Sequence, residues 1–253
     1  MSDFIKHLKE ARRGSMRAIG FGAASRTSTP PMLMVGSIAH LDGDMIRLAI
    51  SAGIDAILFD INDPAGHASA ISSAFPPDTK LPWGAYVPKA DAESMAKLTE
   101  AGCDFVVLDS ESAARVLGDD DVGKLLEVTG PVEDGTLRSI SALSVDALFG
   151  GKDRQSGPLT IGQLLLYHRL TGFSGKPAVL MAPLDSEELG PLRDAGVGAV
   201  IVEVSGKDAE ARLNEVREAI RKLPLEKKRK SKAEETSALL PSSASVDDID
   251  SEY

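Results

Sequence analysis

Acidic side chains recur in this chain at the ends of apolar runs, where carboxylates could move protons or hold a cation. Asp60 closes the run Ala52-Gly53-Ile54-Asp55-Ala56-Ile57-Leu58-Phe59-Asp60. Asp109 closes Ala101-Gly102-Cys103-Asp104-Phe105-Val106-Val107-Leu108-Asp109, and Glu203 closes Ala195-Gly196-Val197-Gly198-Ala199-Val200-Ile201-Val202-Glu203. Clustered carboxylates repel unless a cation, a basic side chain or a shared proton relieves them. Such a cluster suits either a divalent metal, Mg²⁺ or Mn²⁺, or two acids with separated pKa values. Each acid also has a plainer use. Asp109 stands before Ser110-Glu111-Ser112 and Asp60 before Asn62-Asp63-Pro64, contexts in which a carboxylate caps the next helix.

Proton carriers and cations are fewer. Of four histidines, His40 and His67 follow apolar runs and are the candidates for a general acid or base; His7 and His168 fall within helical patterns. Such a group must reach within about 3 Å of its proton. For an anion, the glycine-rich stretch Gly150-Gly151-Lys152-Asp153-Arg154-Gln155-Ser156-Gly157 offers Lys152 and Arg154 beside exposed backbone N–H groups. Ser205-Gly206-Lys207-Asp208 adds Lys207. The stretch before Glu187 and Glu188 is itself acidic and would repel a phosphate.

The elements that must position these residues are legible in the same repeated phrase. A helix stopped by glycine and followed at once by an apolar strand is half of a βα unit. Gly53 and Gly102 lie 49 positions apart, Gly102 and Gly196 lie 94 apart. With about 24 residues per unit, short for a barrel, the phrase marks the second, fourth and eighth of eight strands. The full series places strands at 32–37, 56–60, 83–87, 105–109, 124–128, 145–149, 178–182 and 199–204. Helices are predicted between them at 43–51, 65–74, 91–100, 110–117, 135–143, 160–170 and 186–195, with a last one at 209–222. Eight such units make a (βα)8 TIM-type barrel, whose site lies at the carboxyl ends of the strands; an open doubly wound sheet is the rival arrangement. An amphipathic helix over 3–13 precedes the barrel and is placed to plug its bottom. Three segments follow: an N-terminal helix and arm (1–30), the barrel (31–224) and a charged, Ser/Ala/Pro-rich tail (225–253) read as disordered.

Composition agrees. Hydrophobic residues make up 43% and aromatics only 4%, which fits aliphatic strands covered on both faces by helices. A net charge of −10 argues against nucleic acid as a partner, since that binding rests on Lys and Arg. No run approaches a membrane span of about 18 apolar residues and no signal-peptide core is evident, so a cytoplasmic protein is expected. The single cysteine, Cys103, precludes an intrachain disulfide.

The run ending at Asp60 resembles the matching segment of metal-dependent 2-keto acid aldolases of the HpcH/HpaI type. The resemblance implies a metal held by a Glu ending strand five and an Asp after strand six, which here would be Glu127 and Asp153, with Asp60 beside them. Asn62-Asp63 stands where that family carries Glu-His, and Gly150 ends strand six. Glu203 joins this metal set by its position.

The reading is a barrel enzyme acting on a small anionic metabolite, with enolate chemistry of the aldolase or lyase kind. Asp60, Asp109, His40 and His67 would carry the chemistry. Lys152, Arg154 and Lys207 would bind the anion, and Glu127, Asp153 and Glu203 a metal. The alternative is a barrel without catalysis that serves as a binding or assembly module, and homo-oligomerisation stays open.

Overall fold

The structure, a computed structural model, describes residues 2–14, 30–77, 79–130, 132–150, 157–183 and 185–224. The expected arm, the loop carrying Lys152, Asp153 and Arg154, and the expected tail lie wholly or largely outside these residues. Eight parallel strands close into a barrel in sequence order, with β1 paired to both β2 and β8. The strands are β1 Leu33–Ile38, β2 Ala56–Phe59, β3 Trp83–Val87, β4 Phe105–Leu108, β5 Gly123–Glu127, β6 Ala147–Phe149, β7 Ala178–Met181 and β8 Val197–Glu203. The helices are α1 Asp3–Gly14, α2 Gly43–Ser51, α3 Ala68–Ala74, α4 Ala92–Glu100, α5 Asp134–Ala142, α6 Ile161–Ser174, α7 Leu189–Asp194 and α8 Ala209–Lys222. The closed ring rules out the open sheet. No helix among the described residues is long and apolar enough to cross a membrane.

The repeated phrase works through its glycines. Gly53, Gly102 and Gly196 have φ of +71°, +83° and +90°, left-handed conformations that end a helix and that side chains with a Cβ resist. Each then releases the chain straight into a buried strand.

Alternate strand residues point inward. Leu33, Val35, Ala56, Leu58, Phe105, Val107, Leu125, Ala147, Phe149, Val179, Ala199 and Ile201 form one buried cluster together with Phe4, Ile5, Leu8 and Ala11 of α1. The helix therefore plugs the barrel floor. Phe4 stacks on Phe105 with ring centroids 4.4 Å apart. Small residues make the room: a Cβ on Gly123 would lie 2.5 Å from Ile5, and one on Gly198 2.7 Å from Leu8. Asp104 caps the plug, its carboxylate accepting from the Phe4 and Asp3 N–H groups and the Ser2 hydroxyl. The outward strand residues pack with the helices in separate clusters.

One predicted helix is different. Instead of an α-helix over 110–117, the chain makes a 3₁₀ turn at Ala114–Gly118, because Asp109 holds the residues just before it in a tight loop. α3 also starts later than expected, after Pro64-Ala65-Gly66-His67 turns at the barrel mouth.

Candidate functional site

The carboxyl ends of the strands enclose a cavity of about 150 Å³. Leu58, Phe149 and Ile201, part of the barrel core, lie deepest. Ser37, Tyr86 and Met181 line its sides, and Asp60 and Glu203 stand one strand repeat above Leu58 and Ile201 at the rim. Strand register fixes these neighbours: Ser37 of β1 is level with both Leu58 of β2 and Glu203 of β8.

Tyr86 organises the acids. Its hydroxyl donates to Glu127 Oε2 at 2.6 Å, the length of a charge-assisted hydrogen bond to a carboxylate. Burial raises the phenol pKa well above its ordinary value; the hydrogen bond and charge of Glu127 add to this, followed by the charges of Asp109 and Asp60. The phenol thus stays protonated and acts as a donor. The acids that follow β2 and β4 and the one that ends β5 thus all act on this hydroxyl, Glu127 through direct contact.

Asp109 caps no helix, since the 3₁₀ turn after it starts behind Ala113 without a side-chain cap; it holds a loop together instead. Its Oδ1 accepts from Lys89 N at 3.0 Å, Glu111 N at 3.2 Å and Ser112 Oγ at 2.8 Å. Burial pushes its pKa up, but the bonds from Lys89, Ser112 and Glu111 outweigh this and hold it below the ordinary carboxylate range. The loops after β3 and β4 are joined through these bonds, through Ala90 N donating to Ser112 Oγ, and through the Lys89–Glu111 ion pair at 2.8 Å. Lys89 and Asp63, both in mouth loops, hold φ of +54° and +49°. Non-glycine residues there carry strain that concentrates at functional loops.

The histidines stand further out. His40 is exposed in the loop after β1. His67 is exposed at the start of α3, with Nδ1 2.9 Å from the Asp63 carbonyl oxygen. Neither lines the cavity. Lys207 is exposed in the loop after β8. Lys152, Asp153 and Arg154 lie outside the described residues.

A divalent metal was expected on Glu127, Asp153 and Glu203. Among the described residues, no group of three His, Cys, Asp or Glu side chains could hold a metal ion. Glu127 is engaged by the Tyr86 hydroxyl. The described donors do not fit such an ion.

Tyr86 is not among the residues that the sequence nominates for the site; it lies near the end of β3. The signal that singles it out is period two along β3: Gly84 and Tyr86 share the inward face. A second set of acids lies just before strands, two of them, Asp55 and Asp104, within copies of the repeat. Asp55, Asp104 and Asp146 precede β2, β4 and β6 at the opposite, lower end. Asp55 accepts from Met34 N, Asp146 from Lys124 N, and Asp104 caps α1. These carboxylates tie the barrel floor together.

The sequence matches no protein-family model and has no significant match among curated proteins. The resemblance to HpcH/HpaI-type aldolases therefore gains no support from either comparison. Solved structures are similar in fold. A 3-keto-L-gulonate-6-phosphate decarboxylase from Vibrio cholerae superposes with a TM-score of 0.60 at 12% identity, over 76% of this chain and 99% of that one. A 3-hexulose-6-phosphate synthase gives 0.58 at 16% identity, over 74% and 99%. A phosphoribosyl anthranilate isomerase from Thermus thermophilus gives 0.56 at 17% identity, over 75% and 98%. At such identities these likenesses show the fold: the chain is a (βα)8 barrel with a plugging N-terminal helix.

Proposed function

We propose that this barrel is an enzyme that moves a proton on a small anionic metabolite at its mouth, in enolate-type chemistry of the aldolase or lyase kind. The observation that carries the reading is the Tyr86–Glu127 pair, 2.6 Å apart, beside a cavity rimmed by Asp60 and Glu203. The phenol is kept protonated and gives its single proton to Glu127 in the free protein; with substrate bound, the hydroxyl turns to donate to the oxygen that gains negative charge as an enolate forms. Asp60 or Glu203 takes the proton from the adjacent carbon. A cavity of about 150 Å³ admits the reacting end of a metabolite. Lys207, with Lys152 and Arg154, serves the anionic end. Two of the similar barrels carry a 6-phosphate compound in their names, which supports an anionic substrate here. Mg²⁺ or Mn²⁺ would add a Lewis acid to such chemistry, but the described side chains do not assemble its ligands, so the proposed steps run without one.

The test is solvent deuterium exchange. The protein is incubated in D₂O with a panel of 2-keto acids and phosphorylated sugars, and loss of carbon-bound proton signal is followed by NMR. Exchange is expected for at least one compound, slowed about a hundredfold or more in Tyr86→Phe and in one of Asp60→Asn and Glu203→Gln. Exchange that is absent throughout, or unchanged in all three variants, sinks the proposal. The second reading, a non-catalytic assembly module, draws on α6, where Ile161 is 78% and Leu165 66% exposed. Self-association through that helix, abolished by Leu165→Glu, together with no exchange, is its expected outcome.

A further inference from the structure

A helix on the flank of a barrel buries one face and gives the other to water. α2, α4 and α8 do so with exposed ion pairs, Asp44–Arg47, Glu93–Lys97 and Glu218–Arg221. α6 departs from this. Its inner side packs Leu164 against the barrel and Leu166 and Leu170 against the cluster that holds Leu137 and Ile140 of α5. Its outer side presents Ile161, Leu165, His168 and Gly172 at i, i+4, i+7 and i+11, all exposed, with no Asp, Glu, Lys or Arg among them. A helix that is apolar on both sides is one that becomes covered.

The stripe is shaped to meet itself. In an antiparallel pairing about a two-fold axis between Leu165 and His168, Ile161 of one copy lies opposite Gly172 of the second, and Leu165 opposite His168. Ile161 is the most exposed large apolar side chain among the described residues. A Cβ added at Gly172 would meet only His168 Nδ1, at 4.0 Å, so a knob faces a hole. Antiparallel helices also bring opposite dipole ends together. Charge selects the same surface: two copies of net charge −10 repel, and they approach at least cost where the surface carries no carboxylate. Beside the stripe, Arg169 is already paired with Asp134 at 2.5 Å. The chain's own residues 225–253 match the stripe poorly, because they are densely charged, with Lys227-Lys228-Arg229-Lys230 near one end and Asp247, Asp248, Asp250 and Glu252 near the other.

We propose that the protein forms a two-fold symmetric dimer through α6, with a second copy of this chain covering the stripe in that antiparallel register. Such an interface is isologous: each copy supplies both the knob and the hole. The 14 residues of α6 span about 21 Å. One helix face of that length offers less than the roughly 800 Å² per partner of a standard interface, so the dimer dissociates in the micromolar range. α6 lies on the barrel flank, outside the residues that line the mouth cavity. The dimer therefore forms whether or not the mouth exchanges protons; it supplies the partner for the second reading above without requiring that catalysis be absent.

The test is sedimentation equilibrium of the full chain from about 1 to 500 µM, a range that brackets a micromolar dimer. Wild type should pass from the monomer mass to twice that mass. Leu165→Glu, a change at an exposed position, should weaken association about thirtyfold or more. Gly172→Ile should do the same by filling the hole, while favouring the helix itself; circular dichroism checks that both variants stay folded. Ile161→Ala added to Gly172→Ile exchanges knob and hole, and should return the affinity to within about threefold of wild type, as expected for two coupled positions. A monomer at every concentration, association unchanged in Leu165→Glu, association strengthened by Gly172→Ile, or a double variant no tighter than Gly172→Ile alone each overturn the proposal. Mass and deuterium exchange are read separately, so a failed dimer leaves the account of the mouth untouched.

Discussion

Replacing Tyr86 by Phe tests the electrostatics of the mouth without knowledge of the substrate. The variant removes one hydroxyl and leaves the half-buried Glu127 without that donor. A hydrogen bond to a charged group contributes about 1.5–3 kcal/mol; with water reaching the site, the expected loss at pH 8 is about 1–2 kcal/mol. The pH dependence is the sharper part. Burial and the charges of Glu127, Asp109 and Asp60 raise the folded-state pKa of Tyr86 above its unfolded value of about 10. Below that pH both states keep the proton, so the stabilisation from Tyr86 is fully present. Above it the unfolded chain releases the proton and the folded chain retains it. Stability contributed by Tyr86 then falls by at most about 1.4 kcal/mol per pH unit, and by about 1 after allowing for partial solvent access. Urea unfolding of wild type and Tyr86→Phe at pH 8, 10, 11 and 11.5 reads the difference directly, because every other ionisation is common to both. The wild-type advantage should shrink above pH 10 and be nearly gone by pH 11.5. A gap that stays constant across this range would mean that Tyr86 ionises normally, and the account of the site would fail.

Three further outcomes test the barrel and its plug. Phe4→Ala removes a fully buried ring stacked on Phe105 and should cost about 3–5 kcal/mol in urea unfolding; a loss below about 1 kcal/mol would show that α1 is not part of the core. Asp104→Ala deletes the cap of α1 and should cost about 1–2 kcal/mol. Hydrogen exchange should then quicken in α1 before the strands, whereas uniform quickening would contradict a local role. Burial pushes the Cys103 thiol pKa up, so at pH 8 the native protein should react with a disulfide reagent about a hundredfold more slowly than the unfolded chain. Comparable rates would contradict the packed strand start.

Much of the barrel was legible because its signals are local. A left-handed glycine after a helix and a run such as Ile57-Leu58-Phe59 each act within a few residues, so Gly53, Gly102 and Gly196 announce units two, four and eight. The loop after β4 departs from the sequence expectation because Asp109 satisfies Lys89 N, twenty positions earlier. That bond exists only once β3 and β4 lie side by side, and it turns the expected α-helix into a short 3₁₀ turn.

The mouth shows the same division. That Asp60, Asp109, Glu127 and Glu203 end strands follows from the pattern of apolar runs. Which of them share a proton donor does not. Tyr86 and Glu127 are 41 positions apart, and only the stagger of β3 against β4 and β5 brings the hydroxyl to the carboxylate. The plug likewise had a sequence signature in Phe4, Ile5 and Leu8, but its fit depends on Gly123 and Gly198, whose missing side chains matter only when the helix lies against them. Local stereochemistry and apolar periodicity thus determine the eight units and the ends at which chemistry can sit. Closure of the sheet decides which side chains meet, because pairing register acts between residues that chain order keeps far apart.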